Sequence, residues 1–318
     1  MKFIGKKLLR IIIVVWAVTA ITFMVVTLLP GDVAYTIVGE EATPEDIQAI
    51  RKDLGLDRNM LVRYVAWLGH VAGGDLGSSY ITQEPVLEAI LSRLPVTIEL
   101  MLLVQFFALI FAIPAGIFSA YRPQSVGDKT LTSTAFATMS MPVFVMAIVL
   151  IYFFALKLRW LPATGYVPLS DGLWPNIRSL LMPALSIAMV EWVVLMRVLR
   201  SDMIATLQED FILMARSKGL SAYHILFRHA LRPSLFTLIT ILGMQIGHLI
   251  GGALIVETIF ALPGIGRLLV AAIYGRDFIM VQGCILFISV AYVIAVSYTH
   301  LTLPTNVQQC RSRWSPYH

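Results

Sequence analysis

Charge is scarce in this chain. Of its 318 residues, 14% are charged and 58% are hydrophobic, and the mean hydropathy is +0.80. An ordinary soluble domain is about half apolar and about a quarter charged, so water is not the main solvent here. Cysteine is scarcer still. Cys284, in an apolar run, and Cys310, near the end, give neither a disulfide framework nor metal-ligand spacing, so redox and metal chemistry are not suggested. The chain has no G-x-x-x-x-G-K-[ST] phosphate loop, no H-E-x-x-H pair and no G-x-S-x-G elbow. No enzyme constellation is left, and ATP hydrolysis by this chain alone is not expected.

What is present is a series of long apolar runs. Crossing about 30 Å of hydrocarbon takes roughly 20 apolar residues in a helix. Runs near that length lie at about Leu9–Leu29, Val96–Ala120, Leu131–Leu156, Leu180–Val198, Leu235–Val256 and Ile279–Val296. An unpaired backbone group costs several kcal/mol in lipid, so these runs are helices; the ten-residue alternating segments of a barrel are missing. The first run ends in Leu28-Leu-Pro-Gly-Asp32 rather than a small-x-small cleavage site, so it reads as a retained span and not a signal peptide.

The net charge of +5 is not the mark of a nucleic-acid partner, because the basic residues flank apolar runs and form no basic domain. They set an orientation instead. The N-terminus, the segment 121–129 and the segment 197–232 carry more Lys and Arg than the longer segments between them, which puts both termini and these segments in the cytoplasm.

Residues 30–95 are too long for a plain connector. Thr43-Pro44-Glu45-Asp46 reads as an N-cap, a first-turn proline and acids at a helix start, with a stop near Gly55. Leu61, Tyr64, Val65 and Leu68 then recur at helical spacing. A small helical extracytoplasmic subdomain is expected.

The longest inner loop is patterned. Ile204, Leu207, Phe211, Ile212 and Ala215 recur at three- and four-residue steps, Lys218-Gly219 supplies a stop, and Tyr223–Leu231 begins a second helical pattern. Two short helices meeting at a glycine, edged by Arg216, Lys218, Arg228 and Arg232, suit either a plug for a soluble partner or an amphipathic connector on anionic lipid. In the fifth run Gly243, Gly247 and Gly251 share one helical face. That ridge permits close packing, within the chain or against a partner. Ionisable groups inside spans are costly and often functional. Glu191, the deepest, could line a hydrated pathway or pair with a neighbouring helix. His248 could bond a carbonyl, and Glu99 and Glu257 could snorkel. Pro263, Gly264 and Gly266 interrupt the chain before another apolar pattern, which fits a short re-entrant or interfacial helix.

Asp210-Phe-Ile-Leu-Met-Ala-Arg-Ser-Lys-Gly-Leu220, followed by Phe227-Arg-His-Ala-Leu-Arg-Pro233, resembles the EAA loop of ABC-importer permeases, in particular those of the dipeptide, oligopeptide and nickel class. The resemblance extends to Leu29-Pro-Gly-Asp32, Gly74-Asp-Leu-Gly-Ser78, Arg93-Leu-Pro-Val-Thr97 and Glu257-Thr-Ile-Phe-Ala-Leu-Pro-Gly-Ile-Gly-Arg267, in family order. It implies that Asp210, Phe211, Ala215, Arg216, Lys218, Gly219, Leu220 and Arg228 belong to a coupling helix that docks on a cytoplasmic ATPase. Leu213 and Met214 stand where the motif has Glu-Ala. The segment with Pro263, Gly264 and Gly266 would form part of an outer gate; Glu191, His248 and Glu257, picked out above as ionisable groups inside spans, are the candidates for the pathway.

The expected fold class is an all-α integral membrane protein with about six transmembrane helices, like a type I ABC importer permease, with a small helical extracytoplasmic insertion. The expected organisation is a first segment and span over 1–29, the subdomain over 30–95, a permease core over 96–295 with the coupling loop at 199–234, and an atypical tail over 296–318. After about Ala295 the family pattern stops. The tail reads as adapter-derived, frameshifted or misassembled sequence, the alternative being a genuine divergent end. The resemblance implies a bacterial inner-membrane location and, as partners, a second homologous permease, two cytoplasmic ATPases, an extracytoplasmic solute-binding protein and membrane lipid, with no nucleic acid. No cofactor is bound directly; ATP and Mg are used by the ATPases. The implied cargo is a dipeptide or oligopeptide, with nickel complexes, opines or glycosides as other members of the class. The competing readings are a gradient-driven secondary transporter and a membrane-anchored scaffold.

Overall fold

The computed structural model describes residues 2–28, 43–53, 55 and 57–302. The Leu29–Asp32 motif and residues 303–318 lie outside the described residues, which are mostly helical with no strand among them. The helices are α1 (Lys2–Leu28), α2 (Pro44–Asp53), α3 (Met60–Ala72), α4 (Val86–Tyr121), α5 (Val126–Met139), α6 (Val143–Leu150), α7 (Leu173–Thr206), α8 (Asp210–Ser217), α9 (Leu231–Ile259), α10 (Ile265–Tyr274) and α11 (Phe278–Thr302). Segments of π-helix continue α6 over Ile151–Lys157 and precede α9 over Ile225–Ala230.

Five helices are long and apolar enough to cross a membrane. A sixth span arises if α5 and the α6 segment count as one despite a 97° bend. The apolar run expected as a span over Leu131–Leu156 is thus divided between two helices that meet at this bend. The bend falls at Ser140-Met-Pro142, where proline has no N–H and forces the residue before it out of helical geometry. Ser140 Oγ turns back to donate to the Phe136 carbonyl (2.8 Å). The fourth span also runs longer than expected, from Leu173 to Thr206, and so takes in Ile204. The second helical pattern after Gly219 is not a separate short helix. It continues from Ala222 into the fifth span. The last helix persists to Thr302, beyond the expected break at Ala295.

By contact the chain falls into two compact units, Met1–Thr97 with Leu262–Val293, and Ile98–Ala261 with the rest of the chain. In the first unit, α2 begins at Pro44 and stops before Gly55 (φ +62°), as the capping signals imply. α3 packs on α1 through Tyr64, whose hydroxyl donates to the Trp16 carbonyl (3.3 Å) and shares a bond with Thr19 Oγ1 (3.0 Å). Leu61 and Val65 stay exposed. The turn that follows is fixed by Ser79, whose hydroxyl donates to the buried Asp277 carboxylate. Close packing between the α11 and α4 segments of this unit needs Gly283, since a Cβ there would sit 2.3 Å from Val86 Cγ1.

In the second unit α7 is the centre, packed against α5, α6 and α9. Its buried face includes Leu180, Met182, Leu195, Met196, Leu199 and Met203. Gly116 on α4 lets Leu199 approach to within 3.0 Å of where a Cβ would stand.

Candidate functional site

The patterned loop resolves into a short, rigid outcrop between two long helices. α8 buries Ile212 and Ala215 against Ile225, with Leu207 packed alongside. The opposite face leaves Phe211, Leu213 and Met214 exposed at 44%, 55% and 56%, beside the exposed Asp210, Arg216 and Lys218. These two faces follow from the three- and four-residue spacing of its apolar positions. The helix stops at Gly219, which has φ +75°, with its N–H donating to the Arg216 carbonyl (2.9 Å) and the Leu220 N–H to the Ala215 carbonyl (3.3 Å). No heavy atom lies within 4 Å of a Cβ built there. Glycine is therefore required by the left-handed backbone, not by lack of space. Ser221 then caps the next turn, accepting from the His224 N–H (3.4 Å). Arg228 is exposed two turns further on. Between α8 and the neighbouring helix ends lies a cavity of about 370 Å³ lined by Tyr121, Leu207, Arg216, Leu220, Ala222, Ile225 and Leu226.

The connection into this outcrop is stiff. The amides of Leu207, Gln208 and Glu209 donate in turn to the carbonyls of Met203, Ala205 and Thr206. Beside it stands an ion pair that the sequence reading did not anticipate. Arg200 Nε donates to Asp128 Oδ1 (3.0 Å) and Nη2 to Oδ2 (2.7 Å). The buried carboxylate also accepts from the Gln124 N–H (2.8 Å) and the Ser119 hydroxyl. Asp128 and Arg200 lie 72 residues apart, so no local spacing announces the pair. The contact puts the α4–α5 turn at the same end of this unit as α8.

Of the ionisable residues picked out inside spans, the structure brings two together. Glu191 on α7 is partly exposed and His248 on α9 is exposed, and the two lie within electrostatic reach of one another. Gln245, also on α9, donates Nε2 to the Glu191 backbone carbonyl (3.2 Å). Glu257 is fully buried, so it does not snorkel. Nor does Glu99. Its Oε2 accepts from the Tyr166 hydroxyl and from Asn176 Nδ2, both at 2.9 Å. Burial and the Glu99 carboxylate push the Tyr166 phenol up to about 12. Asn176 and Tyr166 were missed in the sequence because neither sits in an apolar run.

The proline-glycine cluster does introduce a short helix, α10. Pro263 is exposed while Gly264 and Gly266 are buried. The first amide of α10, at Ile265, donates to Thr97 Oγ1 (3.0 Å), which ties the Arg93–Thr97 motif to this cluster within the first unit. On the glycine ridge, Gly243 is partly exposed and Gly247 buried; the surroundings of Gly251 lie outside the described residues. Among the described residues no three His, Cys, Asp or Glu converge as metal ligands.

Residues 112–304 match the family described as the binding-protein-dependent transport system inner membrane component, and residues 1–101 match the N-terminal region of such membrane components. The first match runs past the expected break at Ala295. The chain is 41% identical over 288 residues to a Brucella abortus protein provisionally named a peptide transport system permease, covering 91% of this chain and 92% of the relative. It is 35% identical over 309 residues to the dipeptide transport system permease protein of Alkalihalophilus pseudofirmus, covering 91% and 93%. To the di/tripeptide transport system permease protein of Pseudomonas aeruginosa it is 33% identical over 315 residues, covering 92% and 94%.

Proposed function

Because the chain belongs to the family of binding-protein-dependent transport system inner-membrane components, we propose that it is the channel-forming permease of an ATP-driven importer of dipeptides or oligopeptides. The cargo class is taken from the dipeptide and di/tripeptide permeases it resembles across nearly their whole length. In this reading two cytoplasmic ATPases dock beneath the chain and use MgATP, a second homologous permease completes the pathway, and an extracytoplasmic binding protein delivers the peptide.

The observation that carries the proposal is the outward face of α8. Phe211, Leu213 and Met214 are each about half exposed on a helix anchored from behind by Ile212 and Ala215. Burying the exposed area of three such side chains in a partner's groove contributes about 2–4 kcal/mol. The flanking Arg216 and Lys218 add charge that suits an acidic rim. Peptides carry a terminal amine and a carboxylate, and Glu191 with His248 nearby offers polar groups along the proposed pathway. Both termini then lie in the cytoplasm.

Affinity purification of the tagged chain from cells expressing the whole system tests this directly. The ATPases co-purify with the wild-type chain, and Leu213→Asp, which places a charge at the centre of the α8 face, lowers their recovery at least about tenfold. An unchanged recovery, or no ATPase with the wild type, contradicts the proposal.

A further inference from the structure

The end of the second unit that bears α8 is tied to its neighbours by more than backbone. Arg200 lies on α7, less than two turns before that helix ends at Thr206. Its guanidinium grips both oxygens of Asp128 at 3.0 and 2.7 Å. Asp128 stands in the first turn of α5, where its own N–H donates to Ser125 Oγ (3.2 Å). The same carboxylate accepts from Ser119 on α4 and from the Gln124 N–H in the turn between. Gln124 has φ +62°, a strained left-handed conformation for a side chain of its kind, and this bond holds it there. One carboxylate thus joins α4, the α4–α5 turn, α5 and α7. On the far side of α7, Asp202 Oδ2 accepts from Thr237 Oγ1 on α9 (3.1 Å).

The Asp128 carboxylate is buried while the Arg200 side chain stays 28% exposed, and such a pair is a modest source of net stability, because desolvation of the carboxylate offsets part of the attraction. A packed hydrophobic cluster would hold these helix ends together equally well. What the ion pair adds is direction: a two-point contact fixes the angle of Arg200, and hence of α7, relative to the turn. The hydrogen-bonded turns over Leu207–Glu209 join the end of α7 directly to the start of α8. We propose that Arg200 and Asp128 are positioning residues that carry movement of α8 to the α4–α5 turn, and so couple ATP hydrolysis to opening of the pathway. This deepens the coupling role proposed above and rests on it.

The test uses the full complex in proteoliposomes with a dipeptide-loaded binding protein, measuring ATP hydrolysed and peptide taken up in the same vesicles. Asp128→Asn keeps the size of the side chain and removes its charge. The expected result is ATP hydrolysis within about twofold of wild type, with peptide delivered per ATP lowered about tenfold. Arg200→Lys keeps the charge but loses the two-point contact, and gives an intermediate ratio; it also serves where Asp128→Asn does not assemble. A purely structural role predicts that both rates fall together. A ratio equal to wild type in either assembled variant overturns the proposal. A wild-type complex that hydrolyses no ATP would instead overturn the coupling reading on which it rests.

Discussion

Gly219 is the residue on which the outcrop turns. Its φ of +75° costs a β-branched residue about 1–2 kcal/mol, and the open space around it means that no clash adds to this. Gly219→Val should therefore tilt or fray the end of α8 and lower ATP-dependent uptake about tenfold, while Gly219→Asn, which tolerates the left-handed region, should keep most of it. Equal uptake by the valine variant would show that the backbone turn does not position α8. Residue-level signals of this kind were legible in the sequence wherever they were local: the stop at Gly219, the N-terminal proline of α2 and the break before α10. The Asp128–Arg200 and Glu99–Asn176 partnerships were not, because each depends on residues more than 70 positions apart brought together only by the packing of whole helices.

Among the elements, the apolar runs located the spans, but not their ends or their straightness. Hydropathy counts how much apolar surface there is, whereas the bend at Pro142 and the extension of α7 to Thr206 depend on backbone hydrogen bonding, which hydropathy does not register. The glycine ridge on α9 was visible by spacing. Gly283 was not, standing alone in α11, yet a Cβ there would meet Val86 Cγ1 at 2.3 Å. Val86 is fully buried and cannot swing away. Gly283→Leu should lower stability by about 1–3 kcal/mol through overpacking, seen as a melting temperature several degrees lower in detergent. An unchanged melting temperature would mean that the two helices can separate without cost.

At the scale of the whole molecule, composition had already settled the solvent. Low charge and recurrent runs of about 20 apolar residues leave only a helical membrane protein, and the family match agrees with that. Fold class and the α8 outcrop were thus readable from the chain, the first from composition and the second from periodicity joined to resemblance. Glu191 and His248 were readable only as separate ionisable residues, because their electrostatic proximity across two spans is a property of helix packing. The account's central claim is that this chain turns ATP hydrolysis by its partners into peptide import. The most direct measurement is uptake of a labelled dipeptide into proteoliposomes holding the complete complex, with MgATP inside and binding protein outside. The account predicts uptake that vanadate abolishes and that an imposed ion gradient cannot replace; uptake driven by a gradient without ATP would contradict it.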